Sequence, residues 1–280
     1  MNKSELCALL TELGVHPSRK LGQNFLLDPN LLDALVKSAE LQPGERILEI
    51  GPGTGVLTSR LLAAGCEVTA VELDWRLAAY IERSYGHLAP RFRLIQGDAC
   101  KQDYDALMGA EPYRCVANLP YSCSSPFLAT MASLANPPQE MHVLLQKEMA
   151  DRLTAAPHSK DYGVLTVRLA LRYEMTLIRT VAPEVFFPPP EVMSAFVRLR
   201  LRPERPSPAQ WAVATRLATL AFSQRRKQAR RLLSTAYPTA AVAKAFATLG
   251  LAEGARAEDI TPAQFLQLAA ELAPAGTLKS

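Results

Sequence analysis

The tetrapeptide Asn118-Leu119-Pro120-Tyr121 has residue types that could orient a weakly nucleophilic amine on an aromatic base. The lone pair of such an amine is delocalised into its ring, and acceptors that hold the amine hydrogens can localise it toward an electrophile. The Asn118 side-chain oxygen and the carbonyl of Leu119 or Pro120 are such acceptors. Proline fixes the turn, and Tyr121 can stack on the base. The tetrapeptide therefore predicts group transfer to the amine by orientation, without a strong general base; a turn that merely ends a strand is the alternative.

A second group of residues is typical of an adenosine site. The segment Glu49–Gly55 (EIGPGTG) has glycines in a G-x-G-x-G spacing, which lets the backbone approach a ligand closely. A dinucleotide fingerprint needs a further glycine where this chain has Val56, so a ligand without a pyrophosphate fits better. Glu72, which follows Gly51 by 21 positions, suits ribose hydroxyls, and Asp98 suits the adenine amine. Each acid alone could be a solvated loop residue, but together they predict S-adenosylmethionine (SAM).

All of these residues follow predicted β-strands. Apolar or alternating runs predict strands over 46–50, 67–72, 91–96, 114–118, 141–146 and 195–201, and helical periodicity predicts helices over 28–41, 55–64, 74–85 and 126–134. Alternating strands and helices predict a mainly parallel sheet that binds ligands at the carboxyl ends of its strands. The predicted fold class is therefore α/β, a Rossmann-like class I SAM-methyltransferase domain.

The chain has 280 residues, of which 49% are hydrophobic and 21% charged, and this composition excludes a disordered chain and a disulfide-stapled miniprotein. A proline-rich linker at Pro203, Pro206 and Pro208 predicts a boundary between a catalytic SAM-binding domain, 1–204, and a smaller all-α domain, 205–280. The second domain is predicted to contain helices over 209–222, 224–235, 239–248 and 262–272.

The positive charge is concentrated in the last quarter of the chain. Residues 202–280 carry 11 basic and 5 acidic side chains, whereas residues 1–201 carry 20 and 22. Ser223–Arg231 has five basic residues and no acid. On the helix predicted there, at 100° per residue, one sector of roughly 140° holds four cations: Arg226, Lys227, Arg230 and Arg231. We interpret this face as a phosphate contact, and a merely solvated face is the alternative.

Cysteine usage and hydropathy argue against a metal-binding, a membrane-spanning or a secreted protein. The five cysteines are scattered, without a C-x-x-C pair or metal-ligand spacing, and predict free thiols, no bound metal and a reducing, cytoplasmic compartment. No apolar run reaches the roughly 18 residues of a transmembrane helix. Glu5 and Glu12 interrupt the N-terminal apolar stretch, so a signal peptide is not predicted either.

Together these motifs resemble the ribosomal RNA adenine N6,N6-dimethyltransferases of the small subunit (the KsgA type). The resemblance covers nearly the whole chain and rests on KLGQNFL (20–26), EIGPGTG (49–55), VELD (71–74), GDA (97–99), NLPY (118–121), LQKEMADRL (145–153), SKDYG (159–163), FFPPPEVMSAFVRL (186–199) and FSQRRKQARRLL (222–233). The chain departs at Ser122-Cys123-Ser124, where the family often has Asn-Ile-Ser or Asn-Ile-Thr. Cys123 would therefore replace an aliphatic packing residue.

The resemblance implies N6,N6-dimethylation of two adjacent adenosines near the 3′ end of 16S rRNA, on a pre-30S particle. It implies a monomer in the cytoplasm, with SAM as methyl donor, no metal and no membrane partner. The target amine would lie at Asn118–Tyr121 and the RNA at the four cations of the C-terminal domain. The implied cofactor contacts are Asn24, Leu26, Gly51, Gly53, Glu72, Leu73, Asp98, Ala99 and Asn118.

Three other functions share part of the pattern. An antibiotic-resistance methylase of large-subunit rRNA shares the first motifs but matches LQKE, PPPxVxSAxVRL and FxxRRK less well. A non-catalytic RNA-binding assembly factor on the same fold would not need an intact NLPY and Glu72. A small-molecule methyltransferase would need neither NLPY nor the basic segment.

Overall fold

The computed structural model describes residues 1–18, 21–224 and 226–272, which form two compact units. The first unit is Met1–Ala150 with Thr176–Leu201, and the second is Asp151–Met175 with the chain from Arg202 onward. The predicted division at 204/205 differs from this, because it assigns Asp151–Met175 to the first domain. Within the second unit, Tyr162 donates to the Ile260 carbonyl at 2.9 Å and Trp211 Nε1 donates to the Arg168 carbonyl at 3.0 Å. These long-range bonds attach the internal segment to the C-terminal helices.

The strands of the described chain are β1 (Phe25–Leu26), β2 (Arg46–Ile50), β3 (Glu67–Glu72), β4 (Phe92–Gln96), β5 (Arg114–Asn118), β6 (Glu140–Gln146), β7 (Tyr173–Val181), β8 (Phe186–Phe187) and β9 (Ser194–Leu201). Among the described residues, the main sheet has seven strands in the order β4-β3-β2-β5-β6-β9-β7, and β1 and β8 form a separate antiparallel pair. Neighbours from β4 to β6 are parallel, and β9 runs antiparallel to β6. The prediction of a mainly parallel α/β fold is therefore confirmed.

Helices follow most of the strands. In the order of the chain they are α1 (Lys3–Glu12), α2 (Pro29–Ser38), α3 (Val56–Ala63), α4 (Trp75–Tyr85), α5 (Tyr104–Met108), α6 (Ser124–Ser133), α7 (Lys147–Leu153), α8 (Val164–Ala170), α9 (Pro208–Ala221), α10 (Ala229–Leu233), α11 (Thr239–Thr248) and α12 (Pro262–Leu272). Short 3₁₀ turns occur at Gly86–Leu88, Pro183–Val185 and Ala257–Asp259.

The central strands are buried on both faces. All residues of β2 after Arg46 are buried, as are Cys115, Val116 and Ala117 of β5. One apolar cluster joins β2 and β3 to the helices α2 and α3, with Leu35, Ile47 and Leu61 fully buried. Such two-sided burial explains why these strands have continuous apolar sequences, and it fixes where their carboxyl ends lie.

The basic segment is not one helix, and the helix predicted over 224–235 is wrong. Gln228 is extended, with φ −64° and ψ 132°, and it forms an isolated β-bridge with Arg256, so α10 begins only at Ala229. Arg226 and Lys227 therefore lie in the turn before α10 and do not share a helical face with the arginines of α10. Arg225, in the same stretch, lies outside the described residues.

The last glycine of EIGPGTG, Gly55, starts α3 in a left-handed conformation at φ 77°. A Cβ there would lie 2.7 Å from Tyr85 Cε2 and 2.8 Å from Ile81 Cδ1. We expect Gly55→Ala to lower the free energy of unfolding by about 2–4 kcal/mol, because strain and overpacking add. Gly44→Ala is the matched control, since Gly44 has φ 85° and its Cβ would meet nothing within 4 Å among the described residues. Urea denaturation should show a loss of about 1–2 kcal/mol for the control, and equal losses would contradict a packing role for Gly55.

Candidate active site

The carboxyl ends of β2, β3, β4 and β5 open into one pocket of the first unit. Parallel strands bring their carboxyl ends to the same edge of a sheet, so loops distant in sequence meet there. The loop before β1 closes another side of this pocket. The pocket is lined by every site residue that the sequence predicts in this unit: Asn24, Leu26, Gly51, Gly53, Glu72, Leu73, Asp98, Ala99, Asn118, Leu119, Pro120 and Tyr121. Their contacts with a cofactor or substrate remain predictions.

The glycine turn after β2 lies directly against its neighbours. Gly51 has φ 65°, and a Cβ on it would lie 2.9 Å from Pro120 Cγ. Gly53 has φ 59°, and its Cβ would lie 3.2 Å from the Phe25 ring. A side chain at either position would therefore push the turn away from NLPY or from β1. This cradle fits a ligand that contacts the backbone closely, as a nucleoside would.

Glu72 is held at the end of β3 with only 5% of its surface exposed. Its Oε2 accepts a hydrogen bond from the Gly53 N–H at 3.1 Å, and its Oε1 accepts one from the Asp74 N–H at 2.9 Å. Burial raises the pKa of Glu72, and these backbone hydrogen bonds oppose the rise. Because each carboxylate oxygen keeps a second lone pair, Glu72 can still accept from the two hydroxyls of a ribose.

Asp98 occupies the equivalent place after β4. Its Oδ1 accepts from the Cys100 N–H at 2.8 Å, and its Oδ2 lies 3.8 Å from Lys101 Nζ. The carboxylate is thus fixed by its own loop while about a third of the side chain stays exposed. Leu73, which is 51% exposed at the pocket, offers an apolar surface. An acceptor beside an apolar surface suits an adenine ring with an exocyclic amine.

The NLPY turn presents a defined set of acceptors. Asn118 Nδ2 donates to the Asn24 carbonyl at 3.0 Å, which leaves Oδ1 as the acceptor end of the side chain. The Pro120 carbonyl accepts from the Cys123 N–H and from Ser124 Oγ, both at 3.1 Å, so it is occupied within the turn. In the part of the chain that the structure describes, no hydrogen bond uses the Leu119 carbonyl. Of the two carbonyls that the sequence offered, only that of Leu119 has no hydrogen bond among the described residues, so the predicted amine contact fits Leu119 better than Pro120.

Tyr121 is fixed by a residue that sequence reasoning did not identify. Its hydroxyl hydrogen-bonds to the buried Ser194 Oγ at the start of β9. Burial raises the pKa of Tyr121, so the phenol stays neutral at physiological pH. A neutral ring held in place is suited to stacking on a base and not to proton transfer. Ser194 lies within the SAFVRL motif, but its role depends on a tertiary contact that no sequence spacing reveals.

The KLGQNFL segment lies against the same turn. Ser122 Oγ donates to the Leu21 carbonyl at 3.0 Å, and a Cβ on Gly22 would lie 2.7 Å from the Tyr121 nitrogen. Cys123 lines the pocket, and its thiol donates to the Pro120 carbonyl at 3.3 Å. Cys123 therefore makes a polar contact that an aliphatic side chain at this position would lack. Lys20, the first residue of the segment, lies outside the described residues.

A second buried acid in the pocket, Glu49, was not among the predicted contacts. It is 1% exposed, and its Oε2 accepts from Thr58 Oγ1 at 2.8 Å. Burial, with a smaller contribution from the nearby Glu72 charge, raises the pKa of Glu49 to about 8. The sequence shows Glu49 only as the first letter of the glycine motif, because its burial depends on how α3 packs over β2.

The predicted RNA-contact residues lie in the second unit, where they differ in their surroundings. Arg226, Lys227 and Arg231 are exposed. Arg230 is partly buried and forms an ion pair with Glu253. The four cations are therefore not equivalent, and three of them present their charge to solvent.

Two absences apply to the described residues alone. Across 1–18, 21–224 and 226–272, no cluster of three or more His, Cys, Asp or Glu side chains is placed to hold a metal ion. Over the same residues, no helix combines the length and the apolar character needed to cross a membrane.

Comparison with known proteins decides the family. The family model described as "Ribosomal RNA adenine dimethylase" matches residues 16–274. The chain belongs to this family. It is similar to Ribosomal RNA small subunit methyltransferase A of Bordetella pertussis, with 41% identity over 94% of this chain and 97% of that protein. It is also similar to the protein of the same name from Methylococcus capsulatus, with 37% identity over 92% of this chain and 98% of that protein.

Two solved structures share the fold. A dimethyladenosine transferase from Plasmodium falciparum matches with a TM-score of 0.76 and 24% identity, over 91% of this chain and 99% of that chain. The 23S rRNA methyltransferase ErmE matches with a TM-score of 0.67 and 28% identity, over 89% of this chain and all of that chain. The predicted class I SAM-methyltransferase fold with a helical C-terminal part is therefore confirmed. Membership of the ribosomal RNA adenine dimethylase family implies SAM as the methyl donor.

Proposed function

We propose that this protein transfers methyl groups from SAM to N6 of two adjacent adenosines near the 3′ end of 16S rRNA, twice per base, during 30S biogenesis in the cytoplasm. The observation that carries the proposal is the pocket itself, which combines an adenosine cradle with two acceptors, Asn118 Oδ1 and the Leu119 carbonyl, that no described residue occupies. On this proposal the C-terminal helices hold the rRNA or the pre-30S particle, and the enzyme acts as a monomer.

Five of the predicted site residues in the pocket have a defined task in the proposed reaction. Glu72 would accept from the ribose hydroxyls, and Asp98 from the adenine amine of the cofactor. Bound SAM supplies an electrophilic methyl group. The target adenosine must be unstacked, and Tyr121 would stack on it while Asn118 Oδ1 and the Leu119 carbonyl hold its N6 hydrogens. The N6 proton becomes acidic only after methyl transfer, so solvent can accept it and no buried base is required.

The choice of the small subunit is supported by the curated relatives. Those from Bordetella pertussis and Methylococcus capsulatus are named for the small subunit and match 94% and 92% of this chain. ErmE, named for 23S rRNA, shares the fold at lower identity. The deciding experiment supplies tritiated SAM and purified 30S and 50S particles from cells that lack these methylations. We expect label in adenosines of the 30S particle only; label in the 50S particle would favour the large-subunit function, and none in either would favour an assembly factor.

Replacing Glu72 with glutamine should weaken SAM binding. The amide nitrogen would face one of the two backbone N–H donors and would offer the ribose a donor in place of an acceptor. A hydrogen bond to a charged group is worth about 1.5–3 kcal/mol, so we expect the Kd of SAM to rise by roughly 10- to 100-fold in calorimetric titration. Glu67→Gln, at the exposed start of the same strand, is the control. An unchanged Kd in Glu72→Gln would remove Glu72 from the cofactor site.

A further inference from the structure

Glu49 is a buried acid that the proposed reaction leaves without a task. In the parallel pairing of β2 with β3, Glu49 is opposite Ala70 and Ile50 is opposite Val71, so the next pair is Gly51 with Glu72. Because side chains alternate along a strand, Glu49 and Glu72 point to the same face of the sheet. Glu49, Glu72 and Pro120 of the NLPY turn all line the pocket. A Cβ on Gly51, between the two acids in the register, would lie 2.9 Å from Pro120 Cγ. Glu49 therefore lies on the side of the pocket where methyl transfer to the amine would occur.

Among the described residues, the groups around Glu49 provide no compensating positive charge. Thr58 on α3 donates to it, and Glu72 on β3 repels its charge. Cys115 on β5 and Tyr85 on α4 are further titratable groups of the described chain that interact with it, and neither is cationic. Within the described part of the chain, no basic side chain is among the groups that act on Glu49. A fully buried carboxyl in such surroundings favours its neutral form until a cation arrives.

We propose that Glu49 is a proton-linked counter-charge for the cofactor's sulfonium, protonated in the empty pocket and ionised once SAM binds. This inference rests on the proposed function, because it takes SAM as the ligand. The carboxyl proton passes to the buffer on binding, and the carboxylate then faces the cation. S-adenosylhomocysteine (SAH), the product, has a neutral thioether in place of the sulfonium and would let Glu49 take up its proton again.

The linkage distinguishes substrate from product by pH. Because the pKa of Glu49 is about 8 in the empty pocket and lower in the SAM complex, SAM affinity rises with pH up to about that value. Affinity for SAH lacks this contribution. The Kd of SAH divided by the Kd of SAM should therefore increase by up to about tenfold for each unit that the pH rises toward 8. Transfer of the methyl group thus removes the charge that kept Glu49 ionised, and the product is released more easily.

The test is calorimetric titration of the full-length protein with SAM and with SAH near neutral pH. Repeating it in buffers of different ionisation enthalpy counts the protons released. The amino group of the ligand titrates in the same range, so the diagnostic quantity is the difference between the wild type and Glu49→Gln. This variant keeps an acceptor for Thr58 but has no proton to release. Glu67→Gln, exposed on β3, is the matched control. Sinefungin carries a charged amine in place of the methylsulfonium. Its titration therefore tests whether a positive charge at this position is sufficient for Glu49 to release its proton.

We expect the wild type and Glu67→Gln to release nearly one proton more with SAM than Glu49→Gln does. With SAH this difference should disappear, and sinefungin should behave like SAM. Equal proton counts for SAM and SAH, or for the wild type and Glu49→Gln, would overturn the linkage while leaving the proposed function intact. Failure of the wild type to bind SAM at all would instead overturn the proposed function. If Glu49→Gln does not fold, the comparison of SAM with SAH in the wild type still decides, once the protons that each ligand's own amino group contributes, measured for the free ligand, are subtracted.

Discussion

Asn118→Ala should lower the rate of methyl transfer to unmethylated 30S particles by about 10²–10³-fold, the cost of removing one preorganised hydrogen-bond partner from a reacting group. The variant loses Oδ1, which we assign to the target amine, and leaves only the Leu119 carbonyl to orient it. The cofactor cradle of Glu72 and Asp98 is unchanged. We therefore expect the Kd of SAM to change much less than the rate, by about tenfold at most, with the lost Nδ2 bond to the Asn24 carbonyl as the cause.

Single-turnover transfer of tritium from SAM, with 30S particles in excess, measures the chemical step, and calorimetric titration measures cofactor binding. Ser122→Ala is the matched control, since it removes a hydrogen bond of the same turn to the Leu21 carbonyl but no acceptor of the amine. We expect that control to retain most of the rate. A near-normal rate in Asn118→Ala would remove Asn118 from the mechanism, and a large rise in the Kd of SAM would make it primarily a cofactor residue.

The central strands of the sheet are predictable from the sequence to within a residue. The strands over 46–50, 67–72 and 114–118 are predicted with the observed bounds because they are short apolar or alternating runs ended by polar or glycine-rich segments. The residues at their carboxyl ends are consequently expected at one edge of the sheet, which is where the pocket lies. The weakest predictions concern segments whose conformation depends on distant partners.

Three such segments show why tertiary contacts limit the prediction. Asp151–Met175 belongs to the second unit, because its Tyr162 donates to the Ile260 carbonyl and Trp211 donates to the Arg168 carbonyl within it. No local composition marks that membership. The basic segment has a helical pattern, but the bridge from Gln228 to Arg256 keeps its first half out of the helix. In the NLPY turn, the sequence could not distinguish the Leu119 carbonyl from that of Pro120, which the backbone of Cys123 occupies.

Removing the exposed cations of the basic segment should weaken binding to 30S particles. For the variant Arg226→Ala/Lys227→Ala/Arg231→Ala we expect a loss of about 10²–10³-fold at about 0.1 M salt. Each cation that contacts a phosphate contributes about 0.9 to the slope of log K against log salt. Losing three should therefore reduce that slope by roughly 2–3. Arg230→Ala should change the slope by less, because its guanidinium is paired with Glu253. Filter binding of 30S particles over a salt series measures both quantities.

The control for net charge is Arg216→Ala/Lys244→Ala, which removes two exposed cations from α9 and α11 of the same unit. If binding depended only on the overall charge of the unit, this pair would flatten the slope in proportion to the charge removed. A local phosphate site instead predicts that the control keeps the wild-type slope while the triple variant loses it. An unchanged slope in the triple variant would mean that these cations are only solvated, and the RNA contact would have to be sought on another surface. Far-ultraviolet circular dichroism of each variant separates lost binding from lost folding, since the side chains removed are exposed and none supports the core.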